Sequence, residues 1–233
     1  MTTYVGGYDF TTDLNSITLG ASVEEKDNTT FGTNGFRSRI GGLRDVNADL
    51  SGFWQSDESD AVDPEAFGNL GVVNRPVTVT PTGAEGETAY MFQGGKFTYE
   101  MFGQIGEVTP FTVNMMGTSK DGLVRGALAK AKGSVTPTGA IGSVVELGAA
   151  DDDQFVYAVL HVFSAGTTIT VQVQSDDSET FSGATTVGTI GPITTTGGTW
   201  MTRIAGPVTD TYWRLNVSAI TGTFVVAGAI AIQ

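Results

Sequence analysis

From residue 16 to 23, Ile17, Leu19, Ala21 and Val23 interleave with Ser16, Thr18, Gly20 and Ser22. From 46 onward, Val46, Ala48, Leu50 and Trp54 interleave with Asn47, Asp49 and Ser51. A period of two marks a half-buried antiparallel strand, with one row in the core and the other toward water or a lumen. Further strands are predicted over 4–10, 76–80, 88–93, 96–102, 108–117, 168–174 and 212–220, the last carrying Trp213, Leu215 and Val217 against Arg214, Asn216 and Ser218. Phe97, Tyr99 and Met101 are expected to share one face, as are Phe111, Val113 and Met115. Residues 155–163 are apolar on both faces, as in a central strand. Residues 123–131 read as a strand or a small helix.

One helix is signalled, with Asp63 as N-cap, Pro64 at the first helical position and Gly71 past the end, bracketing Glu65-Ala66-Phe67-Gly68-Asn69-Leu70. Gly94-Gly95 reads as a tight turn or bulge between two strands. With 32 glycines and only 16% charged residues, the composition adds many short strands and tight turns, hence an all-β fold. The small-residue segment 132–142 reads as a linker or crossover, and ten of the 12 basic residues lie at or before Lys132. Residues 1–132 are therefore expected to form a β-sandwich or partly closed barrel of roughly seven or eight strands with one short helix. Residues 138–233 form a C-terminal jelly-roll-like β-sandwich region, or else the completing sheets of one larger fold.

Charge and chemistry narrow the function. A net charge of −13 argues against sequence-specific nucleic-acid binding, which needs a basic patch. There is no cysteine, so neither disulfides nor thiolate metal sites contribute. The first ten residues lack the basic and apolar regions of a signal peptide, and the longest apolar run, 224–232, is about half a bilayer span. A soluble protein without membrane insertion is expected. The sole histidine, His161, lies in the doubly apolar stretch and reads as a hydrogen-bonded core residue rather than a base. The glycines between Gly32 and Gly42 lack the lysine and the strand–turn–helix context of a phosphate loop. Asp151-Asp152-Asp153 and Asp176-Asp177 with Glu179 lack calcium-loop spacing and read as solvated turns. Trp54, Trp200 and Trp213 would make a sugar platform only if exposed together; Trp54 and Trp213 sit on apolar rows. No catalytic residue, cofactor or metal is expected.

The anomaly is the stretch before Val46. About 20 residues separate it from the preceding strand, far more than a hairpin turn needs, and apolar Phe31, Phe36 and Ile40 lie among polar neighbours. Such a segment is either an Ω-loop folded on its own domain or a contact element for another chain. Acidic residues followed by Thr29-Thr30-Phe31-Gly32, Gly35-Phe36-Arg37, Gly41-Gly42-Leu43 and Ser51-Gly52-Phe53-Trp54 together resemble the long-loop region of tail tube (major tail) proteins of long-tailed bacteriophages. The resemblance covers residues 1 to about 132. It implies β-sandwich subunits closing into hexameric rings that stack into a tube, with the loop reaching a neighbouring subunit. Thr29, Thr30, Phe31, Gly32, Phe36, Arg37, Arg39 and Ile40 would then be subunit-interface residues. It also implies assembly in the host cytoplasm into the virion tail, with tape measure and tail completion proteins as further partners and non-specific passage of DNA. An acidic, low-basic lumen would let a polyanion slide through without sticking. The alternatives are a carbohydrate-binding β-sandwich, suggested by the C-terminal region, and a capsid-decorating virion protein.

Overall fold

Alternating rows become antiparallel ladders in a computed structural model that describes residues 1–30, 36–56, 61–104 and 108–233. In chain order the elements are β1 (Thr2–Val5), β2 (Tyr8–Asp9), β3 (Leu14–Asp27), β4 (Arg39–Phe53), helix α1 (Val62–Gly68), β5 (Arg75–Thr80), β6 (Thr88–Met101), β7 (Pro110–Gly117) and β8 (Val124–Val135). Then follow β9 (Gly139–Glu146), β10 (Phe155–Ser164), β11 (Thr168–Asp176), β12 (Thr185–Ile193), β13 (Gly197–Trp200), β14 (Ile204–Ala205), β15 (Tyr212–Thr221) and β16 (Phe224–Ile232). The fold is all-β, with one short α-helix among the described residues.

Twelve of these strands form one sheet. Its main path runs β13-β10-β16-β8-β6-β5-β1-β2, with β14 beside β10 and with β3 and β4 attached through β7 to β6. The other four make the sheet β12-β11-β15-β9. The main path curls until its two ends face each other. There Gly7 lies so close to β13 that a Cβ on it would meet the Gly197 nitrogen at 2.6 Å, so a side chain at this position would push the ends apart. No ladder joins these ends, and the barrel stays open.

Three apolar clusters fill the layers. Inside the curl, Tyr4, Met91, Leu128, Tyr157 and Val159 pack against the small row Ala227, Ala229 and Ala231, where large and small side chains share a tapering space. The opposite faces of β8, β10 and β16 carry Ala129, Val156, Leu160 and Ile230, which pack on Val171, Trp213 and Leu215 of the four-stranded sheet. This explains why β10 is apolar on both faces. The third cluster lies beneath β4 and β7, where Val46, Ala48, Leu50, Phe111, Val113 and Met115 meet Phe10, Phe92 and the Val62 and Ala66 side of α1. Burying each of the larger aliphatic and aromatic side chains contributes about 1.5–3 kcal/mol.

Several expectations change. The 4–10 strand divides into β1 and β2 around Gly6, whose φ is +58°. Gly94-Gly95 makes no turn: β6 runs unbroken and exchanges β5 and β8 for β7 as its ladder partner at this point. The bulge falls instead between Lys96 and Thr98, so Lys96 and Tyr99 both point inward, leaving Phe97 outside. Asp63 is not the N-cap of α1; Ala61 is, without a side-chain hydrogen bond, and the helix ends at Gly68 with Asn69 as its C-cap rather than running on to Leu70. Residues 123–131 are strand, and 132–142 is mostly strand as well, shared between the end of β8 and the start of β9. Because β16 pairs with β8 from Phe224↔Val135 to Ala231↔Gly126, one sheet runs through both predicted regions.

Candidate functional site

β3, β4, β7 and the second half of β6 form a platform whose inward face covers the third cluster. Its outward face is a set of polar cross-strand rows. Thr18 stands opposite Asp49, which stands opposite Asn114, which stands opposite Thr98. The next row is Ser16, Ser51, Thr112 and Glu100, and on the other side come Gly20, Asn47, Met116 and Gly95, then Ser22 with Asp45. These rows hold three carboxylates, Asp45, Asp49 and Glu100, and no lysine or arginine. Asn114 Nδ2 donates to Asp49 Oδ1 at 2.6 Å, and Asn47 Nδ2 donates to the other oxygen at 3.4 Å. The surface is gently hollow, a concavity of about 380 Å³.

Both edges of the platform lack a strand partner among the described residues. β3 pairs only with β4, and Thr98–Met101 of β6 pair only with β7. Unpaired backbone donors and acceptors along a 14-residue strand are a template for another chain.

Half of the segment expected to be a loop of about 20 residues is ladder. β3 continues to Asp27 and β4 begins at Arg39, paired from Leu14↔Gly52 to Asp27↔Arg39 with register shifts between Leu14 and Ser16 and between Val23 and Glu25. Beyond the core the two strands form an arm in which Val23, Phe36, Ile40 and Leu43 are exposed, Leu43 at 80%. Its strands are tied by the ion pair of Arg39 with Glu25 at 2.6 Å, and Lys26 pairs with Glu24 along β3. Near the tip Thr29 Oγ1 accepts from Ser38 N, and hydrogen bonds from Thr29 hold the Asp27 carboxyl below the usual carboxylate range. Thr29, Thr30, Phe36, Arg37, Arg39 and Ile40 therefore gather at the exposed far end of one hairpin, while Phe31 and Gly32 lie outside the described residues. Sequence reasoning placed Val23 in an alternating row and Leu43 in the Gly-Gly-Leu motif but counted neither of them, nor Arg44, among the contact residues.

At the opposite edge, α1 is latched by buried charge. Trp54 Nε1 and Tyr99 OH both donate to Asp63 Oδ1, at 3.0 and 2.8 Å. Burial, then the Asp63 carboxylate, pushes the Tyr99 hydroxyl well up from its ordinary value. β4 stops at Phe53, so Trp54 leaves the apolar row and half-buries against the helix. Lys96, wholly enclosed, donates to Glu65 Oε1 at 3.0 Å, and Arg75 reaches the same oxygen at 2.6 Å. Burial lowers the Lys96 ammonium to about 8; the Glu65 carboxylate opposes that shift and Arg75 adds to it.

No reacting constellation comes together around the other candidates. His161 Nδ1 donates to Gly6 O at 2.7 Å and Nε2 accepts from Thr78 Oγ1 at 2.8 Å, so both ring nitrogens are used in the core. A cleft of about 650 Å³ beside Trp54 holds Asp9 and Asp13, but Asp9 pairs with Lys132 at 2.8 Å and Asp13 accepts from Tyr8 OH at 2.7 Å. Asp176 accepts from the Ser178 and Gly183 backbone, which makes it a turn residue. Among the described residues no group of three His, Asp or Glu is placed to hold a metal, and no helix is long and apolar enough to cross a membrane. Trp213 is wholly buried, its Nε1 donating to Gly148 O, so the three tryptophans form no common platform.

No family model matches the chain, and no curated protein matches it. Among solved structures it is similar to a chain in the virion of a native gene transfer agent particle, with 16% identity and a TM-score of 0.39 over 48% of this chain and 82% of that one. It is similar to a chain in the tail of an empty gene transfer agent particle, refined with C6 symmetry, with the same identity and TM-score over 48% and 80%. The SPP1 Dit protein, described as a paradigm of hub adsorption apparatus in phages infecting Gram-positive hosts, aligns over 98% of both chains with 13% identity and a TM-score of 0.38. Superposition this loose establishes neither a shared assembly nor a shared activity.

Proposed function

We propose that this chain is a structural subunit of a phage tail, a tube protein that assembles with copies of itself and performs no chemistry. The observation that carries the reading is the platform: a hollow face with three carboxylates and no basic side chain, bounded by two unpaired strand edges and prolonged into an arm. If β3 of one copy pairs with the Thr98–Met101 edge of the next, backbone hydrogen bonds continue the sheet from copy to copy. A head-to-tail contact of this kind closes into a ring when the rotation per copy divides a full turn. The polar rows then line the lumen, where fixed negative charge keeps a polyanion from adhering. The arm leaves the ring plane with exposed Phe36, Ile40 and Leu43, surface suited to the next subunit. The sequence resemblance implies six copies per ring, with the rings stacked in a virion tail.

Negative-stain microscopy of the purified chain tests this. Rings or hollow tubes are expected, and a monodisperse monomer at every concentration would remove the proposal.

A further inference from the structure

The platform carries a different apolar feature at each edge. At the β6 edge is a raised patch. Phe67 ends α1, Leu70 bridges to Lys96, Gly71 N donates to Lys96 O at 2.8 Å, and Val72 and Val73 continue past the bulged Phe97. All five apolar side chains are at least 44% exposed. Gly95 lets them gather, since a Cβ there would meet both the Phe97 ring and Val72 O at 3.1 Å. At the β3 edge is a hollow of about 410 Å³ lined by Ile17, Leu19, Ala21, Val79, Tyr90 and Leu123. Ile17 and Leu19 stand opposite buried Leu50 and Ala48, and Tyr99, which reaches α1 through Asp63, stands opposite buried Val113. The hollow and the helix end of the patch therefore lie at opposite edges of the platform, on its core side, and Phe97 carries the patch round the β6 edge to the outer face.

We infer that the Phe67–Leu70–Val72–Val73–Phe97 patch of one copy seats in the Ile17–Leu19–Ala21 hollow of the next, forming a hydrophobic seam behind the wall of the ring. This rests on the ring reading above and adds the surfaces that join the copies. Two unlike, complementary features on one chain make a repeating head-to-tail contact, whereas a twofold dimer would need one self-complementary patch. Charge also selects a second copy as the occupant. Residues 22–44 hold four basic side chains (Lys26, Arg37, Arg39, Arg44) against three acidic ones (Glu24, Glu25, Asp27), a net +1. The whole chain is −13, so the remainder is −14. The arm rising beside the hollow is thus attracted to the acidic body of the copy seated there. Bodies this acidic repel one another, so their seam needs apolar contact.

The absence of cysteine makes a clean test possible. Val72→Cys and Ala21→Cys are introduced together in one chain and separately in two others, and each protein is treated with a short bis-maleimide after assembly. The double variant should give a ladder at multiples of 24.3 kDa, while each single variant stays at one unit. Val72→Asp with Val73→Asp, both at exposed positions, should give monomers with unchanged melting. Rings by microscopy without a ladder would overturn the seam and leave the ring standing. A dimer from Val72→Cys alone would also overturn it, in favour of a twofold contact. Neither rings nor a ladder would remove both readings.

Discussion

His161 Nε2 lies 2.8 Å from Thr78 Oγ1, a bond between β10 and β5, two strands that share no ladder. With Nδ1 held by Gly6 O, the imidazole fastens the two ends of the open barrel where Gly7 meets Gly197. Burial pushes its pKa from 6.5 down to about 4. Between those values the unfolded chain takes up a proton that the native state refuses, so stability falls as pH drops through this window. The loss is about 3 kcal/mol by linkage. His161→Gln should be less stable at pH 7 by roughly 1–3 kcal/mol and should lack this part of the acid slope. Urea titrations of both proteins between pH 4 and 7 measure the difference; parallel slopes would mean that the ring does not titrate as described.

Lys96 predicts a trend at alkaline pH. Its native value near 8 lies below the unfolded 10.5, so the unfolded chain binds more protons between them, and stability should rise with pH across that interval by about 3 kcal/mol. Lys96→Met removes the rise. At pH 7 it should leave stability unchanged or raise it by about 1–3 kcal/mol, because Glu65 keeps Arg75 as its partner. Thermal melts at pH 7, 9 and 10 check both statements.

The arm should be cleavable when free. Trypsin is expected to cut after Arg37, Arg39 or Arg44 in monomer and to be slowed at least tenfold in assembled material, since assembly by this route covers the hairpin. Equal rates in both forms would show that the arm takes no part in the contact.

Lysines on the polar rows should make the wall adhesive. Thr18→Lys with Asn114→Lys leaves every apolar contact in place, so assembly should persist. DNA should then be retained by the tubes in a salt-dependent way, with affinity falling roughly in proportion to the salt concentration raised to the number of phosphates neutralised. In phage carrying the variant, genome ejection should slow. Unchanged ejection from intact tubes would place these rows away from the lumen.

The pairing of β16 with β8 predicts a single folding unit. A chain ending at Gly133 loses β16 and the four-stranded sheet, exposing Val124, Leu128 and Ala129. It should show no cooperative melt, and the full chain should melt in one transition. A truncated protein with native-like dispersion in its proton spectrum would establish two independent units.

The sequence by itself determined most of the strands and the facing of most of them. Val46, Ala48 and Leu50, or Phe111, Val113 and Met115, are inward in the structure as their spacing requires, since alternation is a property of the extended backbone and is written residue by residue. The double apolarity of β10 likewise announced a strand covered on both faces, and its histidine a core residue. Tertiary structure alone decided which strands are neighbours. No local pattern tells β16 to pair with β8, or tells β6 to run through two glycines and exchange partners. Nor does spacing place Lys96 inside and Phe97 outside; a bulge against β7 does so, tolerable only because the fold carries Glu65, 31 residues away in sequence, to the buried ammonium. The stretch from Thr29 to Ile40 was legible as an anomaly in composition. That β3 and β4 run on past the body on either side of it depends on the register of the two strands, which is set by the cross-strand fit of the paired rows rather than by either strand alone.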